Sequence, residues 1–241
     1  MAREDGAGLQ VRDLSVLFAG QHHPLFHIGE LDIQAGSSVG VCGPSGAGKT
    51  TLFHCLSGIA SPARGTVAWD GVDVSRLSGD ERDRWRRRNL GLIFQDFHLI
   101  DGLSAFDNVL LPAHFSSWRP SPHLRQRAHA LLEAAGLGAS IAQRNVSLLS
   151  RGERQRVACA RALLCQPKVI MADEPTASLD PDHRDQVGDV LLDLARSQGA
   201  TLIVISHEPA LLARMDRRLT LRNGMLLSSS ATAFRTGEGA C

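Results

Sequence analysis

The stretch Gly43-Pro44-Ser45-Gly46-Ala47-Gly48-Lys49-Thr50 follows an apolar run, Ser38-Val39-Gly40-Val41-Cys42, and leads into a helix-like segment over residues 51–56. Strand, glycine-rich loop and helix in that order are the context a phosphate-binding loop requires. The glycines let successive N–H groups point inward as a nest for phosphate oxygens. The helix that begins there adds unpaired N–H groups and the positive end of its dipole. Lys49 can reach β- and γ-phosphates, and the Thr50 hydroxyl can ligate Mg²⁺. An ordinary glycine-rich turn is the plain alternative, and the flanking strand and helix argue against it. Further along, the apolar run Val169-Ile170-Met171-Ala172 ends in two acids, Asp173 and Glu174. Asp173 suits holding Mg²⁺ through a water, and Glu174 suits polarising the water that attacks a γ-phosphorus. An Asp-Glu pair at a strand end is common by itself; the upstream loop gives this one its meaning. Ser150 and Gly152 open another helix, and its N-terminus is a second anion site. Two phosphate-binding helix ends in one chain suggest that the second serves a nucleotide held by another subunit.

These groups need a scaffold, and the apolar periodicity supplies one. Residues 9–18 and 25–33 alternate as half-buried strands, separated by a turn holding Gly20 and Pro24. Asp70-Gly71 is a compact hairpin signal between residues 66–69 and 72–74. Together these predict an antiparallel sheet beside the nucleotide core. Ser78-Gly79-Asp80-Glu81 reads as a capping box for a short helix through residue 88. Residues 90–95 read as a buried strand ending in Gln95. Over residues 96–167 the pattern changes to helices, among them 123–135 and 150–164, and reads as an inserted lobe. Residues 168–172 and 200–205 are nearly all apolar, as strands of a parallel sheet buried on both faces are. A helix over 182–196 separates them, and a hairpin over 217–227 turning at Asn223-Gly224 closes the pattern. The expected fold is α/β: a phosphate-loop NTPase core with a parallel sheet, an N-terminal antiparallel β subdomain and an inserted α-helical lobe. The serine- and glycine-rich residues 229–241 are expected to be a disordered tail.

Composition narrows the partners. A chain of this length holds one large α/β domain, and a formal net charge of +1 gives no general reason to expect nucleic acid. No apolar run approaches 18 residues, so no membrane span is expected, and no signal peptide is visible. The five cysteines form no metal-type pairs and suit buried thiols in a reducing cytosol. His22 and His23 have no third ligand nearby and read as solvated loop residues. Arg82, Arg84, Arg86, Arg87 and Arg88 share one short helix. They read either as a solvated face or as a contact for acidic lipid headgroups or a partner.

Taken together, these residues resemble the nucleotide-binding subunit of ATP-binding cassette (ABC) transporters. The family's motifs occur in order: the phosphate loop of residues 43–50, Gln95 as the Q-loop and residues 149–153 as the signature. Asp173 and Glu174 follow as the Walker B acids, then Ser178, Leu179 and Asp180 as the D-loop, and His207 as the switch histidine. The likeness spans residues 9–227, so that residues 1–228 form one nucleotide-binding domain, a RecA-like core with its helical lobe at 96–167. It implies ATP and Mg²⁺ as cofactors. It implies Gly43, Ser45, Gly46, Ala47, Gly48, Lys49, Thr50 and Thr51 around the phosphates, with Thr50, Gln95 and Asp173 around the metal. Phe18 stands where the family stacks an aromatic ring on adenine. Ser150 and Gly152 would touch the γ-phosphate bound by the opposite protomer, and Asp180 would help couple the two sites. Glu174, His207 and Lys49 would form the catalytic set, with His207 hydrogen-bonded to the γ-phosphate.

Residues 88–112, 147–164 and 172–176 are similar to the LolD, MacB and FtsE group within that family. In that group a cassette dimer drives a permease with few spans. The implied assembly is a homodimer bound to an integral membrane permease on the cytoplasmic side of the inner or plasma membrane, working in lipoprotein release or efflux. Phe94, Phe97 and Leu99 become candidates for the groove that receives the permease, or else for core packing. An FtsE-like regulatory module, using ATP to recruit or signal through a membrane protein, is the alternative reading. A soluble cassette of DNA repair or translation would need coiled-coil arms or tandem cassettes, and this chain has neither.

One position departs from the family: Arg151 stands where the signature usually has its first Gly. The Ser hydroxyl and the second Gly, which should face phosphate, are retained. Arg151 is expected to be tolerated because helical backbone there needs no positive φ, and its charge can favour an anion. Arg151→Gly should therefore bring no large gain in ATPase rate; a large gain in a steady-state assay would contradict this.

Overall fold

The computed structural model describes residues 6–18, 20, 23–115, 119–177 and 181–230. Alternation builds the first layer. In β1 (Leu9–Val16) and β2 (Phe26–Ile33) the inward residues include Leu9, Val11, Phe26 and Ile28, all buried. The two strands pair antiparallel, with Leu9 opposite Ile33 and Val16 opposite Phe26. β1 stops two residues sooner than its alternation predicts and leaves Leu17 and Phe18 exposed. After β3 (Ser38–Cys42) and α1 (Lys49–Leu56) come β4 (Arg64–Trp69) and β5 (Val72–Asp73), which complete an antiparallel sheet of order β2-β1-β4-β5. Asp70 and Gly71 both have positive φ, 47° and 77°, as the tight two-residue hairpin turn demands.

The second sheet holds the site. Its order is β10-β9-β3-β8-β7-β6, built from β6 (Leu90–Ile93), β7 (Val169–Asp173), β8 (Thr201–Ile205), β9 (Arg217–Arg222) and β10 (Met225–Ser230). All neighbours from β9 to β6 run parallel, and only β10 is antiparallel to its partner. Every residue of β3, β7 and β8 is buried, as expected of strands covered on both faces. The alternation of β7 divides them: Val169 and Met171 face the antiparallel sheet and α1, while Ile170 and Ala172 face the helices. β10 continues through Ser230, beyond the expected end of the hairpin at residue 227, because Ser228–Ser230 keep pairing with Leu219, Arg218 and Arg217. The rest of the expected tail, residues 231–241, lies outside the described residues.

The helices follow the sequence reading closely. α2 (Gly79–Asn89) starts at the expected capping box, the Glu81 carboxylate accepting from Ser78 N at 2.9 Å and Ser78 Oγ at 2.7 Å. The lobe comprises α3 (Ala105–His114), α4 (Pro122–Ala134), α5 (Ala139–Ala142) and α6 (Arg151–Leu163). α7 (Pro181–Gln198) and α8 (Pro209–Leu212) flank β8. The lobe's apolar core does not stand apart: Phe106, Leu132 and Val157 belong to one cluster with Ile170 and Val204 of the sheet. β6 ends at Ile93, two residues before Gln95, so Gln95 sits on a loop rather than on the expected strand end.

A buried bond ties the antiparallel sheet to α1. Trp69 Nε1, at the end of β4, donates to the Leu56 carbonyl at 2.9 Å, capping the last turn of α1. Trp69→Phe should lower unfolding stability by about 2 kcal/mol, since it leaves that carbonyl unpaired and removes buried ring atoms. Urea denaturation of the two proteins measures the difference.

Candidate functional site

Parallel strands deliver their C-terminal ends to one edge, where ligands of open α/β sheets bind. Here β3 leads into Gly43, β6 precedes Gln95, β7 ends at Asp173 and β8 precedes His207. A cavity of about 560 Å³ opens on that edge, within the range of small-ligand sites. It is lined by Gly43, Ser45, Gly46, Gly48, Lys49, Thr50, Thr51, Gln95, Asp173, Glu174 and His207, with Phe18, Leu25 and Ala177. Of the phosphate-loop residues expected there, only Ala47 does not line it; its side chain packs on the antiparallel sheet's core.

The loop's shape follows from its glycines at two points. Gly43 has φ 154°, and a Cβ there would lie 2.2 Å from the Leu221 carbonyl oxygen. Gly48, the residue before α1, has φ 96°, and its Cβ would meet Leu25 Cδ2 at 2.8 Å. No side chain caps α1 and no acid sits in its first turn, so its N–H groups are free to receive an anion. Lys49 Nζ donates to the Gly43 and Pro44 carbonyls at 2.9 and 3.1 Å. These bonds fold the ammonium over the loop and leave a third N–H for phosphate.

Across the cavity stand the acids. Asp173 is 4% exposed, and its Oδ1 has no hydrogen-bond partner among the described residues. Burial holds its carboxyl above the ordinary range; the Thr50 hydroxyl opposes that shift and the Glu174 charge adds to it. Glu174 takes a left-handed backbone, φ 49°, and its N–H reaches the Ile205 carbonyl of β8 at 2.8 Å. Its Oε2 lies 2.8 Å from His207 Nδ1. Since a carboxylate only accepts, that ring nitrogen carries the proton. Phe18 is 48% exposed at the cavity's outer wall, a free ring face.

Ser150 and Gly152 do not line this cavity. Ser150 caps α6, its Oγ accepting from Glu153 N at 3.3 Å while the Glu153 carboxylate accepts from Ser150 N at 2.7 Å. These contacts hold the Glu153 carboxyl below its ordinary range, chiefly through the Ser150 N–H and also through the Ser150 hydroxyl. Arg151 occupies the first helical position of α6 and is not among the residues with positive φ, as expected. Asp180, with Ser178 and Leu179, lies outside the described residues, as does His22.

Two lining residues were missed. Leu25 reads in sequence only as the first apolar residue of a strand, and nothing distinguishes it from its neighbours. Ala177 follows the acids without a chemical handle. Of the three groove candidates, Phe94 lines a second, apolar cavity of about 400 Å³. Phe97 is buried beside it, and Leu99 packs onto the lobe core. Of the arginine cluster, Arg82 bonds Ser61 and Arg86 bonds the Gly58 carbonyl and Asp83, so those two are structural. Arg84, Arg87 and Arg88 remain exposed.

Residues 26–177 match the family model described as ABC transporter. The chain belongs to the ABC transporter family. As a member it is an ATP-binding, ATP-hydrolysing cassette subunit. Among curated proteins, this cassette is similar to three named "Lipoprotein-releasing system ATP-binding protein LolD". That of Oleidesulfovibrio alaskensis is 42% identical, over 81% of this chain and 84% of its own. That of Syntrophus aciditrophicus is 38% identical over 91% and 99%, and that of Shewanella frigidimarina 40% over 85% and 84%. Among solved structures, the cassette is similar to the dimeric bacterial ABC transporter cassette MJ0796, with TM-score 0.85 and 30% identity over 94% of this chain and all of that one. A dimeric post-hydrolysis form of that cassette, bound to ADP and Pi, gives TM-score 0.83 and 29% identity over the same shares.

The buried Asp173 gives the site a measurable cost. A carboxyl whose native pKa is raised favours folding below its ordinary pKa, and that margin is lost as pH rises through the native value. At neutral pH the ionised, desolvated group therefore destabilises the fold. Asp173→Asn should raise the thermal midpoint in nucleotide-free buffer at pH 7 by roughly 2–4 °C. The gain should shrink once pH falls below the native pKa, as read by calorimetry. A midpoint at or below the parent's at pH 7 would contradict the desolvation.

Proposed function

We propose that this cassette is the motor of a lipoprotein-releasing transporter, working as a homodimer that closes on two ATP molecules and opens after hydrolysis. One observation carries the motor reading. Four strand ends bring Lys49, Gln95, Asp173, Glu174 and His207 to one cavity, while the α6 terminus bearing Ser150 and Gly152 lies outside it. A second copy would bring that terminus to the open side, its hydroxyl and N–H groups facing the γ-phosphate. Contacts of this kind exist only while the γ-phosphate is present, so hydrolysis removes what holds the dimer shut. The dimeric cassettes to which this fold is similar support the arrangement. The lipoprotein assignment rests on the relatives' names, which do not favour the regulatory alternative.

Within each site the phosphate loop and Lys49 bind and orient the triphosphate, and Phe18 offers its ring to the adenine. Asp180, beyond the described residues, is carried as a coupling residue on resemblance alone. Glu174 holds the attacking water by a hydrogen bond, and His207 fixes the carboxylate that does so. Thr50, Gln95 and Asp173 fit a hard cation, because the Asp173 Oδ1 is buried and unpartnered and all three offer oxygen. Mg²⁺ bound there would neutralise charge on the phosphates.

The apolar cavity beside Gln95 suits the permease. Leu90, Leu92, Phe94, Leu111, Pro112 and Phe115 line it, and Arg86 and Arg87 edge it. Among the described residues no helix is long and apolar enough to cross a membrane. Attachment through a permease at the cytoplasmic face is then the route to the inner membrane.

Glu174→Gln should cut ATP turnover by at least about 100-fold while ATP-trapped dimers accumulate on size exclusion. The wild-type chain should copurify in detergent with a polytopic membrane protein whose vesicles release lipoprotein on ATP addition. A wild-type chain that binds ATP but turns over no faster than Glu174→Gln would defeat the motor reading.

A further inference from the structure

We propose that Arg151 is a positioning residue that clamps the corner of the Gln95 loop to the first turn of α6. The corner is a strained piece of chain. Phe97 and His98 take consecutive left-handed backbones, φ 61° and 47°, each unfavourable for a residue with a Cβ. Something must hold them there, and α6 does so from both ends.

Arg161, in its last turn, donates Nη2 to the Phe97 carbonyl at 2.5 Å and Nη1 to the His98 carbonyl at 2.6 Å. Arg151, in its first turn, sets its guanidinium over the Phe97 ring at 5.3 Å from the centroid, within cation–π range. The ring itself is 4% exposed, so the arginine lies over a fixed platform. Among the described residues Arg151 makes no hydrogen bond or ion pair; the Phe97 ring is its contact. Residues 151 and 161 are about 15 Å apart along the helix. A glycine at 151 would leave the corner itself to the distal grip, with the Arg154–Asp101 ion pair holding the loop farther along.

The consequence concerns the two-copy site, on whose reading this inference rests. Gln95 lies two residues before Phe97, and Ser150 one residue before Arg151. With the clamp in place, the loop that senses a protomer's own nucleotide and the helix end it presents to its partner shift as one body. Nucleotide in one site thereby sets how well the same protomer completes the other.

The test uses the full chain carrying Glu174→Gln, with ATP-driven dimerisation followed by light scattering against ATP concentration. Arg151→Ala and Phe97→Leu should each raise the half-maximal ATP concentration about three-fold. The double variant should be no worse than either single, and Arg151→Lys should recover part of the loss. Single effects that multiply in the double variant would overturn the clamp, as would an Arg151→Ala titration matching the parent's. If Phe97→Leu fails to fold, the exposed position decides alone: Arg151→Ala must shift the titration and Arg151→Lys partly restore it. A parent chain that does not dimerise with ATP would defeat the two-copy reading and leave the clamp to be scored by Gln95-loop hydrogen exchange, which Arg151→Ala should accelerate; unchanged exchange would then overturn it.

Discussion

Parallel pairing among β3, β8, β7 and β6 is the constraint on which the site depends. Val41 lies opposite Ile205, Asp173 opposite Ile205 on the other side, and Ala172 opposite Ile93. Because all four strands run the same way, their last residues end level, and whatever follows them emerges at one edge. A glycine loop, a pair of acids, a glutamine and a histidine from distant parts of the chain become neighbours through register alone. Burial on both faces makes that register hard to lose, since a one-residue slip would exchange the cores on the two sides of β7.

The site in turn asks for conformations that the fold must enforce. Glu174, Phe97 and His98 all take left-handed backbones although none is glycine. Each is held by a neighbour: Glu174 by the Ile205 carbonyl, and the other two by Arg161. Such strain persists only where surrounding structure over-determines it. That role explains why α6 packs on both the lobe and the sheet, since a helix anchored in one core can brace a loop at the margin of another.

Much of this was legible in the residues. Alternation gave β1 and β2, Asp70-Gly71 and Asn223-Gly224 gave the hairpins, and the capping box at Ser78 gave α2 to within a residue. Lys49, Thr50, Asp173 and Glu174 declared themselves by type and by position after apolar strands. What stayed hidden depends on pairing across the chain. Leu25 lines the cavity because β2 lies beside Gly48, and no local signal carries that. The continuity of the lobe's core with the sheet comes from α6 burying two faces, whereas a change from strands to helices reads as a boundary. Arg151 and Phe97 lie 54 positions apart, and their contact has no local trace.

The cavity also has walls from two different layers. Phe18 and Leu25 belong to the margin of the antiparallel sheet, while the phosphate loop, the acids and His207 belong to the parallel one. A nucleotide spanning it would act as a further staple between layers that meet through apolar packing and scattered hydrogen bonds, such as those from His27 N to the Gly224 carbonyl and from Arg217 to the Asp32 carbonyl. Binding to the native form alone adds RT ln(1 + [L]/Kd) to stability, and here that increment falls on the seam between the sheets. The resistance of the chain to unfolding and proteolysis is then a function of the nucleotide around it, and the seam is where its depletion is felt first.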